Sequence, residues 1–369
     1  MKTNMKILAI ILAIVLGLLL LVVVVLLFYS PGKTEPFLDR NGKVLAGSIS
    51  EKTFVNFGGI RQGMFIKGKN KRNPVLLYLH GGFPDYFLTK KYPTGLEDHF
   101  TVVWWEQRGS GLSYRADIPP ESMTLEQMIS DVKEVTNYLR KRFGQEKIFL
   151  MGRSGGTYIG MHVVAQSPEL YHAYIGVAQM SNQLKSERLA YEYMLSQFRE
   201  NGNKKMVRKL ESAPVTISEG TSAAYLSIRD QAMHILGIGT MRDMNSIVTG
   251  LFIPSLACRD YTLPEKINMW RAKAESGVSV LWNRMLATDL AMDVPEIEVP
   301  VYFFHGTYDY TVSYFLAKDY FEKLKAPLKG FYTFERSAHS PLLEEPGRVK
   351  EIIEKDVLLG KTDLADIIN

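Results

Sequence analysis

Gly152-Arg153-Ser154-Gly155-Gly156 follows the apolar run Lys147-Ile148-Phe149-Leu150-Met151 and opens a helix-like stretch that reaches Gln166. This is a strand, a tight turn and a helix, with a serine at the apex. Small residues flank such a serine because the turn is strained and its backbone passes close to its neighbours. The pentapeptide alone is common. Its weight comes from whether an acid and a histidine follow, in that order, at the ends of later strands.

Both do. Val301-Tyr302-Phe303-Phe304 is a β-type run that continues into His305-Gly306-Thr307-Tyr308-Asp309, placing Asp309 just past a strand's carboxyl end. Phe331-Tyr332-Thr333-Phe334-Glu335 is another short strand, and His339 follows in the loop Ser337-Ala338-His339-Ser340-Pro341. Open α/β sheets gather functional groups at the carboxyl ends of their strands. The residue types then suggest nucleophilic catalysis: Ser154 to attack a carbonyl, His339 to carry its proton, and Asp309 to orient and stabilise the imidazole. Taken singly, each has a plainer reading as a turn residue, a loop cap or a surface histidine; order and placement together favour the catalytic one. The turn Leu79-His80-Gly81-Gly82-Phe83-Pro84, after the run Val75–Leu79, supplies candidate oxyanion donors. These are the N–H of Gly82 or Phe83, with the N–H of Gly155 as the second.

These segments resemble the α/β-hydrolases, and within them the proline iminopeptidase group of serine peptidases. The likeness covers roughly residues 60–180 and 298–357. It rests on His80–Pro84, on Trp105-Glu106-Gln107-Arg108-Gly109-Ser110-Gly111-Leu112-Ser113, on the serine turn, on His305–Asp309 and on Ala338-His339-Ser340. It implies a mostly parallel sheet flanked by helices, with an inserted helical cap, and an aminopeptidase acting on short peptides without metal or organic cofactor. Two departures from the group's pattern bear on substrate. Gly155 stands where a tryptophan is usual, and Glu106 where an aspartate is usual. A carboxylesterase or lactonase on the same residues is the alternative, and a noncatalytic binding module a further one. The resemblance also implies cap carboxylates that pair with a peptide's α-amino group, for which Glu187, Glu192, Glu200 and Glu211 are candidates. Glu106 is a candidate for the amine or a partner for Arg108, whose planar fork is read as tying loops together.

Ile7 to Phe28 is 22 consecutive uncharged, mostly Ile, Leu and Val positions, about 33 Å as a helix. Lys2 and Lys6 precede it, which favours a cytoplasmic N-terminus and a catalytic part outside. The expectation is an uncleaved single-pass signal anchor, with a cleaved signal peptide as the alternative. The net charge of +5 comes without a Lys/Arg cluster interleaved with aromatics, so nucleic acid is not an expected partner. Cys258 is the single cysteine, which excludes an intrachain disulfide and reads as a buried apolar residue. The expected organisation is an anchor over residues 1–29, a linker over 30–41, hydrolase core over 42–180, helical cap over 181–298 and core again over 299–369. Within the core, Thr124-Leu125-Glu126-Gln127 has the pattern of a capping box, and Gly144 closes the helix it begins. Trp270 and Trp282 read as core residues before pocket residues.

Overall fold

Five-residue apolar runs such as Val75–Leu79 carry no polar face, so they suit only strands covered on both sides. The computed structural model describes residues 2–367 and places them that way. Val75, Leu77 and Leu79 enter one buried cluster while Leu76 and Tyr78 enter another, and Val301 and Phe303 divide from Tyr302 and Phe304 in the same manner. The two clusters are the two faces of one sheet.

That sheet has eight strands: β1 (Ile49–Phe57), β2 (Ile60–Gly68), β3 (Val75–Leu79), β4 (Thr101–Glu106), β5 (Ile148–Arg153), β6 (Tyr171–Val177), β7 (Val301–Gly306) and β8 (Lys329–Phe334). Their spatial order is β1-β2-β4-β3-β5-β6-β7-β8. β1 and β2 form a hairpin through Gly58 and Gly59, whose φ values of 52° and 78° suit a two-residue turn with positive φ at both positions. β2 also runs antiparallel to β4, and every later pairing is parallel. The order reverses around β3 and β5, which is where such sheets leave a crevice at the strands' carboxyl ends.

Helices Leu125–Phe143, Gly155–Gln166 and Tyr314–Lys323 cover one face, and Pro346–Ile352 with the following turn to Val357 covers the other. Thr124 accepts the Gln127 N–H at 3.2 Å and caps its helix. The capping box is only half made, because the Gln127 amide turns instead to Asp131, at 2.8 Å. Gly144 closes the helix with φ 64°.

Between β6 and β7 the chain is helical, including Gln183–Glu200, Lys204–Glu211, Ala223–Ile235 and Leu263–Ser276. This stretch has a cluster of its own, built on Ala190, Met194, Phe198, Leu210, Tyr225 and Met233. At the other extreme, Lys2–Phe28 is one helix; Asn4–Phe28 is long and apolar enough to cross a membrane and is not packed into the body.

Candidate active site

Ser154 sits at φ 54°, ψ −126°, a backbone conformation that costs an L-residue on the order of 1–3 kcal/mol. The surrounding contacts hold it there. Its N–H donates to the Val177 carbonyl at 3.0 Å, and its carbonyl accepts the Thr157 hydroxyl at 2.6 Å. The flanking glycines are required by close approach: a Cβ on Gly156 would stand 2.2 Å from the Leu79 carbonyl oxygen. Gly81 is also close, since a Cβ there would meet the Ser154 Cβ at 2.8 Å. The turn after β3 therefore lies directly against the serine.

His80 holds that turn. Its Nε2 accepts the Gln107 N–H at 3.1 Å, which places its proton on Nδ1, donated to the Gly81 carbonyl at 2.6 Å. Burial lowers the His80 pKa, consistent with this neutral tautomer. The N–H groups of Gly82, Phe83 and Gly155 find no hydrogen-bond acceptor among the described residues. Gly155 begins the helix behind Ser154, so the positive end of that helix dipole points to the same place.

β7 and β8 deliver the other two groups. Asp309 Oδ2 accepts from His339 Nδ1 at 2.8 Å, while Oδ1 accepts the N–H groups of Thr311 and Val312 at 2.9 and 3.0 Å. Burial opposes charge on Asp309, but His339 and His305 outweigh it and hold the carboxyl well below its usual range. Burial pulls His339 below its ordinary pKa in spite of Asp309, so the imidazole is neutral near pH 7. Ser154 and His339 line one cavity of about 190 Å³ with Gly81, Gly82 and Phe83. Among the described residues the Ser154 hydroxyl makes no hydrogen bond, and neither does His339 Nε2.

The other candidates lie elsewhere. Glu106 is buried away from the cavity, accepting the Leu112 N–H at 2.5 Å and the Tyr261 hydroxyl; burial raises its pKa to about 8. It is not the partner of Arg108, which pairs with Asp131 on the covering helix (Nε to Oδ2, 2.8 Å; Nη2 to Oδ1, 2.9 Å) and also donates to Gly58. Arg108 does tie loops together, through a different carboxylate. Glu187 is fully buried and spent on Arg229, at 2.6 and 2.7 Å, and on Tyr225. Glu192 is exposed and paired with Arg188 along its own helix, outside the cavity. Trp270 lines the cavity and Trp282 a smaller pocket beside it.

The sequence matches the alpha/beta hydrolase fold family over residues 74–346. The chain is an α/β-hydrolase. The hydrolase is 31% identical over 303 residues to the probable aminopeptidase YbaC of Bacillus subtilis (strain 168), a match spanning 81% of this chain and 93% of that protein. It is similar in fold to a proline iminopeptidase of Mycobacterium smegmatis, with TM-score 0.60 and 15% identity over 82% of this chain and 96% of the other. A proline iminopeptidase-related protein from Thermus thermophilus is comparable, at TM-score 0.58 and 18% identity over 83% and 96%. The hydrolase thus resembles the proline iminopeptidases, as its motifs imply.

Several residues of the cavity escape sequence reasoning. Arg153, inside the serine pentapeptide, donates to Asp85 (3.0 Å), to the Ser340 hydroxyl (2.6 Å) and to the His339 carbonyl (3.2 Å). It thereby connects the serine turn to the histidine loop. Its position between an apolar strand and the serine of the turn is the signal that points to it, since an arginine there has no solvated face to occupy. Arg229, Asp230 and Lys273 come from the helical stretch and carry no such signal. Asp230 is half-buried and bridged to Arg229 at 2.8 Å. Burial works against its charge, but Arg229 and Lys273 prevail and lower its pKa.

Proposed function

We propose that the hydrolase is a membrane-anchored serine aminopeptidase that removes N-terminal residues, proline or small ones, from short peptides outside the cytoplasm. The observation that carries this reading is the Asp309–His339 bond in the same cavity as a serine held at positive φ. Ser154 Oγ attacks the scissile carbonyl as His339 Nε2 takes its proton. The resulting oxyanion is met by the N–H of Gly155 and that of Gly82 or Phe83, each worth roughly 3–4 kcal/mol. Collapse expels the amine, which receives its proton from His339. Water then enters, its oxygen bonding the acyl carbon as His339 takes its proton, and the bond to Ser154 Oγ breaks as His339 returns that proton to Oγ. Catalytic hydrogen bonds of this kind tighten when substrate is bound, so the unpaired Ser154 hydroxyl is compatible with the role.

The helical stretch over 181–298 acts as a cap, and Asp230 takes the place of the glutamates as the group that receives the substrate's α-amino cation. It lines the cavity, is held ionised and has one carboxylate oxygen outside its bond to Arg229. Lys2–Phe28 anchors the protein, with the body following it on the outer side.

A second reading, esterase or lactonase, is favoured by the wall beside the serine. Met285 approaches Gly155 where the iminopeptidase pattern has tryptophan, and the cavity's carboxylates are all in contact with arginine. Fluorophosphonate labelling of the full chain, beside Ser154→Ala, tests both enzyme readings. Labelling of the wild type alone supports them; an unlabelled but folded wild type leaves a binding module. Turnover of Pro- and Ala-aminoacyl amides then separates peptidase from esterase, which would act on short acyl esters only.

A further inference from the structure

The end of the long apolar helix is not a free tether. Arg259 donates to the Phe28 carbonyl at 3.2 Å and lies over the Phe28 ring, a cation placed at a helix's negative end. Lys266 Nζ donates to the Tyr29 carbonyl at 2.7 Å, the Ser30 hydroxyl at 3.1 Å and the Leu256 carbonyl at 2.5 Å. Gly32 donates to the Arg259 carbonyl at 3.1 Å, and Pro31 bridges to Thr262. The segment from Leu256 to Lys266 is thus clamped onto the point where the helix leaves its apolar stretch.

The residues next to that clamp are apolar and uncovered. Val248–Ala257 is a short apolar helix that begins with a π-turn, and Val248, Phe252 and Ile253 are 57%, 40% and 52% exposed. Ile267, beside the clamping lysine, is also exposed. Arg259 and Lys91 border this face beside Ile253 without a carboxylate partner among the described residues, while Glu35 and Asp260 nearby are taken up by Lys90. Such a combination of apolar side chains and unpaired cations suits an interfacial position at an anionic bilayer. A face of this kind in open water is costly and unusual. Inward, Phe252 stacks edge-on against Trp270 at 5.1 Å and Trp270 against Phe83 at 5.0 Å, so the exposed face runs continuously into the cavity that holds Ser154.

We infer that the face formed by Val248, Phe252 and Ile253 docks into the bilayer interface beside the anchor. The cavity wall built by Trp270 and Phe83 is then backed by lipid, and the body has one fixed orientation on the membrane. This rests on the reading of Lys2–Phe28 as an anchor, and the test separates the two.

Full-length protein carrying Cys258→Ala and one new cysteine is labelled with NBD and reconstituted in nanodiscs of phosphatidylcholine and phosphatidylglycerol, with and without nitroxide lipids that carry the quencher near the headgroup or deep in the acyl chain. Ile253→Cys and Val248→Cys report the docking face, Leu16→Cys the anchor, and Phe315→Cys the opposite edge of the sheet. The inference expects most of the emission to be lost at 253, 248 and 16, with none lost at 315. Emission kept at 253 and 248 while position 16 is quenched overturns docking and leaves the anchor standing. A blue-shifted but unquenched signal at 253 would mean a second protein copy covers the face, and overturns it too. No quenching at position 16 removes the anchor reading itself, and docking with it.

Discussion

Asp309→Asn probes the proposed machinery at the point where the geometry leaves least freedom. Asp309 Oδ1 faces two backbone donors, the N–H groups of Thr311 and Val312, and Oδ2 faces His339 Nδ1. An asparagine has one acceptor and one donor end. If its NH₂ took the Oδ1 place, two buried N–H groups would lose their acceptor and confront a donor, at about 1–3 kcal/mol each. The carbonyl oxygen therefore stays with Thr311 and Val312, and the NH₂ turns to His339. His339 Nδ1 must then accept, so its proton moves to Nε2, the atom that has to receive the proton of Ser154. The base is blocked while the fold is kept. The expected loss in kcat is roughly 10⁴-fold, or about 5.5 kcal/mol. The rate of fluorophosphonate labelling should fall in parallel with amide or ester turnover, measured beside the thermal midpoint. A folded variant that loses less than tenfold in both would refute the roles assigned to Asp309 and His339.

Four further outcomes follow from the same contacts. Gly82→Ala puts a Cβ 1.8 Å from the Val278 carbonyl oxygen, so the β3 turn or the 277–280 segment must move; labelling of Ser154 should slow by about 10²–10³-fold, the scale of losing one oxyanion donor. Asp230→Asn should raise KM for aminoacyl amides at least tenfold and leave short acyl esters unchanged, read from steady-state kinetics on both; equal effects would remove its role as amine acceptor. Asp131→Ala strands the Arg108 cation in the core without its two bonds, and denaturant unfolding should report a loss of about 3–5 kcal/mol. Glu106 has a folded pKa near 8, above its value of 4.5 in the unfolded chain, so its proton stabilises the fold and that contribution is lost as pH rises toward 8. The wild type should therefore lose up to roughly 5 kcal/mol between pH 4.5 and 8 from this group, and Glu106→Gln should flatten that slope in thermal melts.

What could be read in the chain, and what could not, follows from how each kind of residue is constrained. β3, β5 and β7 are covered on both faces, so their apolar runs stand out, and the groups just beyond them, Gly82, Ser154 and Asp309, are placed by counting along the chain. His339 is legible for the same reason after β8. The helical stretch offers no such ruler. Its first helices pack on one another around a cluster of their own, and amphipathic spacing marks their apolar face without saying which polar residue looks into the cavity. Glu187 and Asp230 show the consequence. Both touch Arg229, yet the former lies fully buried behind the guanidinium and the latter on the cavity side. The partner of Arg108 is hidden for a different reason. Asp131 falls among Met128, Ile129, Val132 and Val135 on the buried face of its helix, where a carboxylate is tolerable only if something charged meets it. A buried loop arginine and an acid in an apolar helical stripe are each costly alone, and together they account for one another. The pairing is thus a constraint the chain does carry, readable only by asking where an unsolvated charge must find its opposite rather than by searching the arginine's own loop.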